Sequence, residues 1–265
     1  MFRRVTLLGG GVLFLYAAMG ALLYSQQREL IYFPTPPAEI DQYELREITA
    51  GSGDTIQVWR RNTGKARALI YLGGNAESLQ ATGALLRTLF PEYAIYLPLY
   101  PGYAGAPGEP NEQSLYDEAL ALYDDIEGRH SEISVIGRSL GSGVATYLAA
   151  ERPLHKLALV TPFDSMQSLA QEVIPIYPMG LMLRDKYDSA ARARQIDAPT
   201  LMIISGNDDI VTRPHSDRLR VAFDPDQVEQ VVVEGSTHNN IHMKQEFAMA
   251  LLLFFDQLHR RPQLQ

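Results

Sequence analysis

The 265-residue chain contains no cysteine. That absence excludes disulfides, thiolate metal sites and a cysteine nucleophile, and it leaves the redox compartment open. Positive charge is also in short supply, with 23 Lys and Arg against 31 Asp and Glu and a formal net charge of −8 at pH 7. Nucleic acid is therefore not an expected partner, because no basic stripe is available to displace the phosphate counterions. No internal repeat or low-complexity segment interrupts the chain. What remains is a globular composition, 46% apolar and 20% charged, long enough for one sizeable domain.

One stretch lacks charge altogether. Val5 to Tyr24 holds no Asp, Glu, Lys or Arg, and Arg3 and Arg4 precede it. Twenty helical residues at about 1.5 Å each cover roughly the 30 Å of a hydrocarbon core. The run is expected to form one N-terminal transmembrane helix, its N-terminus cytoplasmic and everything after Ser25 on the other side, periplasmic or extracellular. The alternative is a cleaved signal peptide and a secreted protein, with Ala18-Met19-Gly20 before Ala21 as the cleavage site. Leu22-Leu23-Tyr24 prolongs the apolar run past that site, which favours an uncleaved anchor. The expected layout is an anchor over residues 1–27, a connector over 28–42 stiffened by Pro34, Pro36 and Pro37, a folded domain over 43–260 and a tail over 261–265.

Within the domain, short apolar runs alternate with helical patterns. Strands are expected at Tyr43 to Thr49 and Thr55 to Arg60, around the turn residues Gly51 to Asp54, and then at Ala68 to Leu72, Ala94 to Leu97, Ile133 to Ile136, Leu157 to Val160, Thr200 to Ile204 and Val228 to Val233. Helices are expected at Ser78 to Phe90, Asn111 to Glu127, Val144 to Ala150, Pro214 to Ala222 and Ile241 to Leu258. This alternation specifies an α/β fold, a mostly parallel, doubly wound sheet with helices on both faces. Residues of about 161–199 break the rhythm with Pro162, Pro175 and Pro178 and the apolar patch Ile174, Ile176, Met179, Leu181, Met182 and Leu183. They read as a small lid over the strands' C-terminal edge, where open α/β sheets place their sites.

The motif at the centre is Gly137-Arg138-Ser139-Leu140-Gly141, between a strand and a helix. Such a serine sits on a tight, strained turn that lifts its hydroxyl above the sheet, and the residues two before and two after it pass too close for side chains. A serine hydroxyl needs a base to take its proton, and the base needs an acid to hold its tautomer. Asp208 and Asp209 follow the strand ending near Ile204, and His238 follows the strand ending at Val233. Three loops at one sheet edge thus carry Ser, Asp and His in the chain order that this topology expects. His242 competes with His238, but His238 lies nearer the strand end and follows small residues. For an oxyanion, the backbone N–H groups of Leu140 and Asn75 are the candidate donors, Asn75 because Gly73-Gly74 lets its loop approach the serine. Arg138 is open to an acidic part of a substrate or to a surface ion pair.

These pieces resemble the α/β-hydrolase superfamily, and more narrowly a membrane-anchored serine-hydrolase branch similar to depalmitoylase-like α/β-hydrolase domain proteins. The resemblance runs over about residues 28–258. It rests on Tyr71 to Glu77, Tyr100 to Gly105, Gly137 to Gly141, Thr161 to Ser165, Ser205 to Val211 and Gly235 to Asn239. The oxyanion loop often reads His-Gly in that superfamily and here is Gly73-Gly74, which leaves the backbone donor in place. The usual placing of the acid before one residue and an aliphatic pair selects Asp208, while counting three from Gly206 selects Asp209. The resemblance implies an α/β-hydrolase fold and a serine hydrolase. Ser139 would be its nucleophile, His238 its base and Asp208 its acid, with no metal or organic cofactor. The expected substrate is a lipid-like acyl ester or thioester. The alternatives are a serine peptidase on the same fold and a catalytically inactive surface binding protein.

Overall fold

The computed structural model describes residues 2–49 and 55–256. The turn at 51–54, the end of the last expected helix, His259 and the tail at 261–265 lie outside the described residues.

Eight strands form one sheet: β1 (Glu44–Thr49), β2 (Thr55–Arg61), β3 (Arg67–Leu72), β4 (Tyr93–Pro98), β5 (Glu132–Arg138), β6 (Lys156–Val160), β7 (Thr200–Ser205) and β8 (Val228–Val233). Their spatial order is β1-β2-β4-β3-β5-β6-β7-β8. The β1–β2 and β2–β4 pairings are antiparallel and every other pairing is parallel. The parallel strands are covered on both sides. Alternate residues of β3 divide between two cores, Ala68, Ile70 and Leu72 facing one and Leu69 and Tyr71 the other. The first core is closed by α3 (Glu112–Ile126), α4 (Leu140–Glu151) and α8 (Arg213–Ala222), through Leu115, Leu122, Val144, Leu148 and Leu219. The second is closed by α2 (Leu79–Leu89) and α9 (Gln245–Asp256), through Leu86, Phe247, Leu251 and Phe255. Helix α3 starts with a capping box, Asn111 accepting from the Ser114 N–H while Ser114 Oγ accepts from the Asn111 N–H.

Between β6 and β7, the chain makes α5 (Met166–Val173), α6 (Met179–Met182) and α7 (Ser189–Arg192). This insertion receives the N-terminal helix α1 (Phe2–Ile31). The Tyr16 and Tyr177 rings stack with centroids 4.5 Å apart, and each hydroxyl donates to a backbone carbonyl across the joint, Tyr16 to Ile176 and Tyr177 to Tyr16. Gly20 faces the Tyr177 ring so closely that a Cβ there would lie 3.0 Å from it. Farther along, Gln27 accepts the Arg184 N–H, and Arg28 pairs with the buried Asp185, which also accepts from the Tyr32 hydroxyl.

The expected transmembrane helix is overturned: among the described residues, no helix is long and apolar enough to cross a membrane. The single-pass topology and the non-cytoplasmic placement of the domain lose their basis with it. Freedom from charge is not apolarity. From residue 10 onward the run holds Gly10, Gly11, Tyr16, Gly20 and Tyr24 and ends in the polar Ser25, Gln26 and Gln27. The helix also continues through Gln26, Gln27, Arg28 and Glu29, residues expected to leave the membrane. Its C-terminal half is a packing element of the folded domain. Asp185→Ala is expected to lower unfolding stability by about 2 kcal/mol in urea titration, because it strips Tyr32 and Arg28 of their shared acceptor. It should also accelerate proteolytic cleavage within α1.

Candidate active site

Strand β5 ends where Ser139 turns into α4. Ser139 has φ 49° and ψ −116°, a conformation that costs a residue with a side chain of order 1–3 kcal/mol. Its N–H donates to the Val160 carbonyl at 2.9 Å, and its carbonyl accepts from the Ser142 N–H and hydroxyl at 2.8 and 2.6 Å. Two glycines make the turn possible. A Cβ on Gly137 would lie 2.5 Å from the Gly141 carbonyl oxygen, and one on Gly141 would lie 2.1 Å from that of Leu72.

The loops after β7 and β8 bring Asp208 and His238 to this hydroxyl. His238 Nε2 is 2.9 Å from Ser139 Oγ, and His238 Nδ1 is 2.9 Å from Asp208 Oδ2. The His238 and Asp208 side chains are only 6% and 2% exposed. Asp208 is itself oriented, since its Oδ1 accepts from the Ile210 and Val211 N–H groups at 3.0 and 2.8 Å. The neighbouring Asp209 is exposed. His242 stays out of this contact; its Nδ1 is buried without a partner among the described residues, and burial together with the Arg138 charge lowers its pKa. Three other histidines are committed elsewhere: His130 to Tyr96 and Lys65, His155 to Glu132, and His215 to Asp164 and Glu172.

Asn75 and Leu140 line one cavity with Ser139 and His238. Neither backbone N–H is engaged by a hydrogen bond among the described residues. A Cβ on Gly74 would lie 3.5 Å from Ser139 Cβ, so the loop runs alongside the serine as the glycine pair implied. The Asn75 side chain locks that loop in place. Its Oδ1 accepts from Tyr103 Oη at 2.7 Å and the Phe33 N–H at 2.8 Å, and its Nδ2 donates to the Ile31 carbonyl.

The cavity holds about 740 Å³, within the range of small-molecule sites. Of the apolar insertion residues singled out in the sequence, Ile174, Met179, Met182 and Leu183 line it, whereas Ile176 and Leu181 point outward at 67% and 87% exposure. Leu23, Leu30 and Ile31 of α1 form a wall that sequence reasoning missed. The signal available was amphipathicity around residue 27, which the uncharged run before it obscured. Asp164 was likewise quoted in a motif without a role. It ties the insertion to α8 by accepting from His215 Nδ1 at 2.6 Å and Arg218 Nε at 2.8 Å. Burial would raise the Asp164 pKa, but these two partners outweigh it and hold the carboxyl below its ordinary value. Among the described residues, no cluster of His, Asp and Glu is arranged to hold a metal ion.

Parallel sheet, elbow and strand-end loops define an α/β-hydrolase, and solved structures share the fold. The Pyrococcus furiosus esterase Pf2001 superposes with a TM-score of 0.65 at 16% identity, over 83% of this chain and 98% of its own. A meta-cleavage product hydrolase from Pseudomonas fluorescens gives 0.61 at 16% identity, over 80% and 97%. No protein-family profile matches the chain. Two uncharacterized proteins of Mycobacterium tuberculosis, from two strains, are each 34% identical over 232 residues, 82% of this chain and 82% of theirs. The chain belongs to their family, within the α/β-hydrolase superfamily. The Arabidopsis thaliana α/β-hydrolase domain-containing protein WAV2 is a more distant relative, 22% identical over 74% of this chain and 75% of its own.

The elbow's tolerance is directly testable. Gly141→Ala is expected to cost about 3 kcal/mol, because backbone atoms of β3 cannot move aside for the methyl. A thermal melt should show the loss, and a wild-type midpoint would contradict the packing.

Proposed function

We propose that this protein is a serine hydrolase that cleaves acyl esters or thioesters through an acyl-enzyme. The observation that carries this reading is the continuous contact of Ser139 Oγ, His238 Nε2 and Nδ1, and the Asp208 carboxylate at the end of a largely apolar cavity. Ser139 Oγ attacks the substrate carbonyl while His238 Nε2 takes its proton, and Asp208 holds the Nδ1–H tautomer and stabilises the imidazolium. The negative oxygen then meets the Asn75 and Leu140 N–H groups, the latter at the N-terminus of α4. Collapse of this intermediate expels the alcohol or thiol, which His238 protonates, and a water activated by His238 releases the acid. An esterase among the structural neighbours supports the same chemistry. The intact relay argues against a binding-only role, and the apolar walls favour an acyl chain over a polar peptide.

Fluorophosphonate should label Ser139 alone. Ser139→Ala and His238→Ala should each remove nearly all esterase activity, and the double variant should lose little more, since such residues act as a unit. Asp208→Asn should cost far more in kcat than Asp209→Asn. A Ser139→Ala protein that still labels and still turns over a p-nitrophenyl ester would sink the reading.

Substrate class follows from the cavity. The catalytic efficiency kcat/KM should climb from acetyl toward medium and longer acyl esters, as each buried methylene contributes about 0.8 kcal/mol at most. Met179→Asp or Met182→Asp should flatten that climb. A strict preference for acetyl esters would refute the acyl assignment and leave the nucleophile untouched.

A further inference from the structure

A second charged constellation lies behind the serine. Glu77, at the end of the oxyanion loop, and Arg138, the residue before the nucleophile, form an ion pair with Glu77 Oε2 3.3 Å from Arg138 Nη1. The pair is nearly enclosed, with side chains 6% and 12% exposed. It reaches two loops, a strand and a helix at once. Glu77 Oε2 accepts the Gly74 N–H at 2.6 Å, while Oε1 accepts the Tyr71 hydroxyl at 2.8 Å and the Thr82 hydroxyl at 2.5 Å. Arg138 Nη2 donates to the His238 carbonyl at 3.1 Å, and its Nε is buried with no partner among the described residues.

We propose that Glu77 and Arg138 are positioning residues for the hydrolysis, a buried clamp that fixes the oxyanion loop and the histidine loop against the nucleophile.

Three observations support the assignment. Isolated ion pairs taken out of water return little net stability, and well-packed apolar residues often serve as well, so stability alone is a poor reason for charge here. Besides the Tyr71 and Thr82 hydroxyls, which anchor Glu77 to β3 and α2, the pair holds backbone atoms of the Gly74 and His238 loops. With its Gly74 N–H bound by Glu77, the loop is pinned one residue before the N–H that the oxyanion would meet, and the turn closes through Glu77 N–H to the Gly74 carbonyl at 3.3 Å. On the other side, the His238 main chain is pinned at the residue whose ring must reach Ser139. Burial opposes the charged form of Arg138, yet Glu77 and Tyr71 together more than compensate and raise its pKa. This arrangement removes Arg138 from contact with an acidic substrate and from the surface ion pair considered from the sequence.

The inference rests on the serine-hydrolase reading, so the test separates the two. Full-length wild type, Glu77→Gln, Arg138→Met, Arg138→Lys and the double Glu77→Gln/Arg138→Met would be compared on a p-nitrophenyl acyl ester. An alkyl boronic acid, which mimics the tetrahedral intermediate, would supply a second readout, and circular dichroism would confirm that each variant is folded. Arg138→Met is expected to lower kcat by about 100-fold with KM nearly unchanged, the size of effect that a small misplacement of reacting groups produces. Boronate affinity should fall in step with kcat/KM. Arg138→Lys should recover only part of the loss, because an ammonium lacks the fork that holds Glu77 and the His238 carbonyl together. The double variant should lose little more than Arg138→Met alone. Should Arg138→Met fail to fold, Glu77→Gln and Arg138→Lys carry the same comparison. Folded variants with wild-type kcat and boronate affinity, differing only in melting temperature, would overturn the clamp and leave the hydrolase standing. A wild type that neither takes a fluorophosphonate label nor cleaves the ester would overturn both.

Discussion

The active-site geometry depends on one close approach, that of the Ser139 turn to the end of β3. Gly141 lies against the Leu72 and Gly73 carbonyl oxygens, and Gly137 lies against the first turn of α4. With no side chains at these points, the turn can hold Ser139 at positive φ and bring the Gly74 loop alongside it. The strain is maintained by packing on every side: Val160 accepts from the Ser139 N–H, and the wholly buried Val144, Ala145 and Leu148 lock α4 onto the sheet. A fixed serine gives the neighbouring strand ends something to register against. In the parallel arrangement β5-β6-β7-β8 they open at one edge, and the loops after β7 and β8 need only short reaches to bring Asp208 and His238 into line.

The N-terminal helix gives the site its apolar character. Helix α1 is not an appendage: it lies on the insertion through Tyr16, Gly20, Gln27 and Arg28, and its Leu23, Leu30 and Ile31 complete the cavity wall beside Ser139. Its end also touches the Gly73-Gly74-Asn75 loop, where Asn75 bonds to Ile31 and Phe33. The shape of the cavity beside Ser139 and the placing of the Asn75 loop are therefore physically linked through one stretch of chain, Leu23 to Phe33. Glu77 and Arg138 knit the opposite side of that loop to the Ser139 turn and the His238 loop.

By itself, the sequence determined the order of the strands and of the helices outside the 161–199 insertion, the elbow and the residues at its edge. These depend on local rules: apolar periodicity separates strand from helix, and only glycine tolerates the approach at 137 and 141. Because strand-end loops of a parallel sheet share one edge, chain position alone also nominated Ser139, the Asp208–Asp209 pair and His238 as neighbours. Tertiary structure decided what local rules leave degenerate. An uncharged run reads alike whether lipid or protein covers it, and only the Tyr177 ring, Gln27 and Asp185 assign α1 to the insertion. Asp208 and Asp209 are equivalent in type and adjacent in sequence, and loop geometry alone turns one to His238 and the other to solvent. Arg138 and Glu77 stand 61 positions apart in the chain, so no spacing rule pairs them. Their pairing follows from β3 and β5 lying side by side, because direction and burial of a side chain are properties of the packed whole.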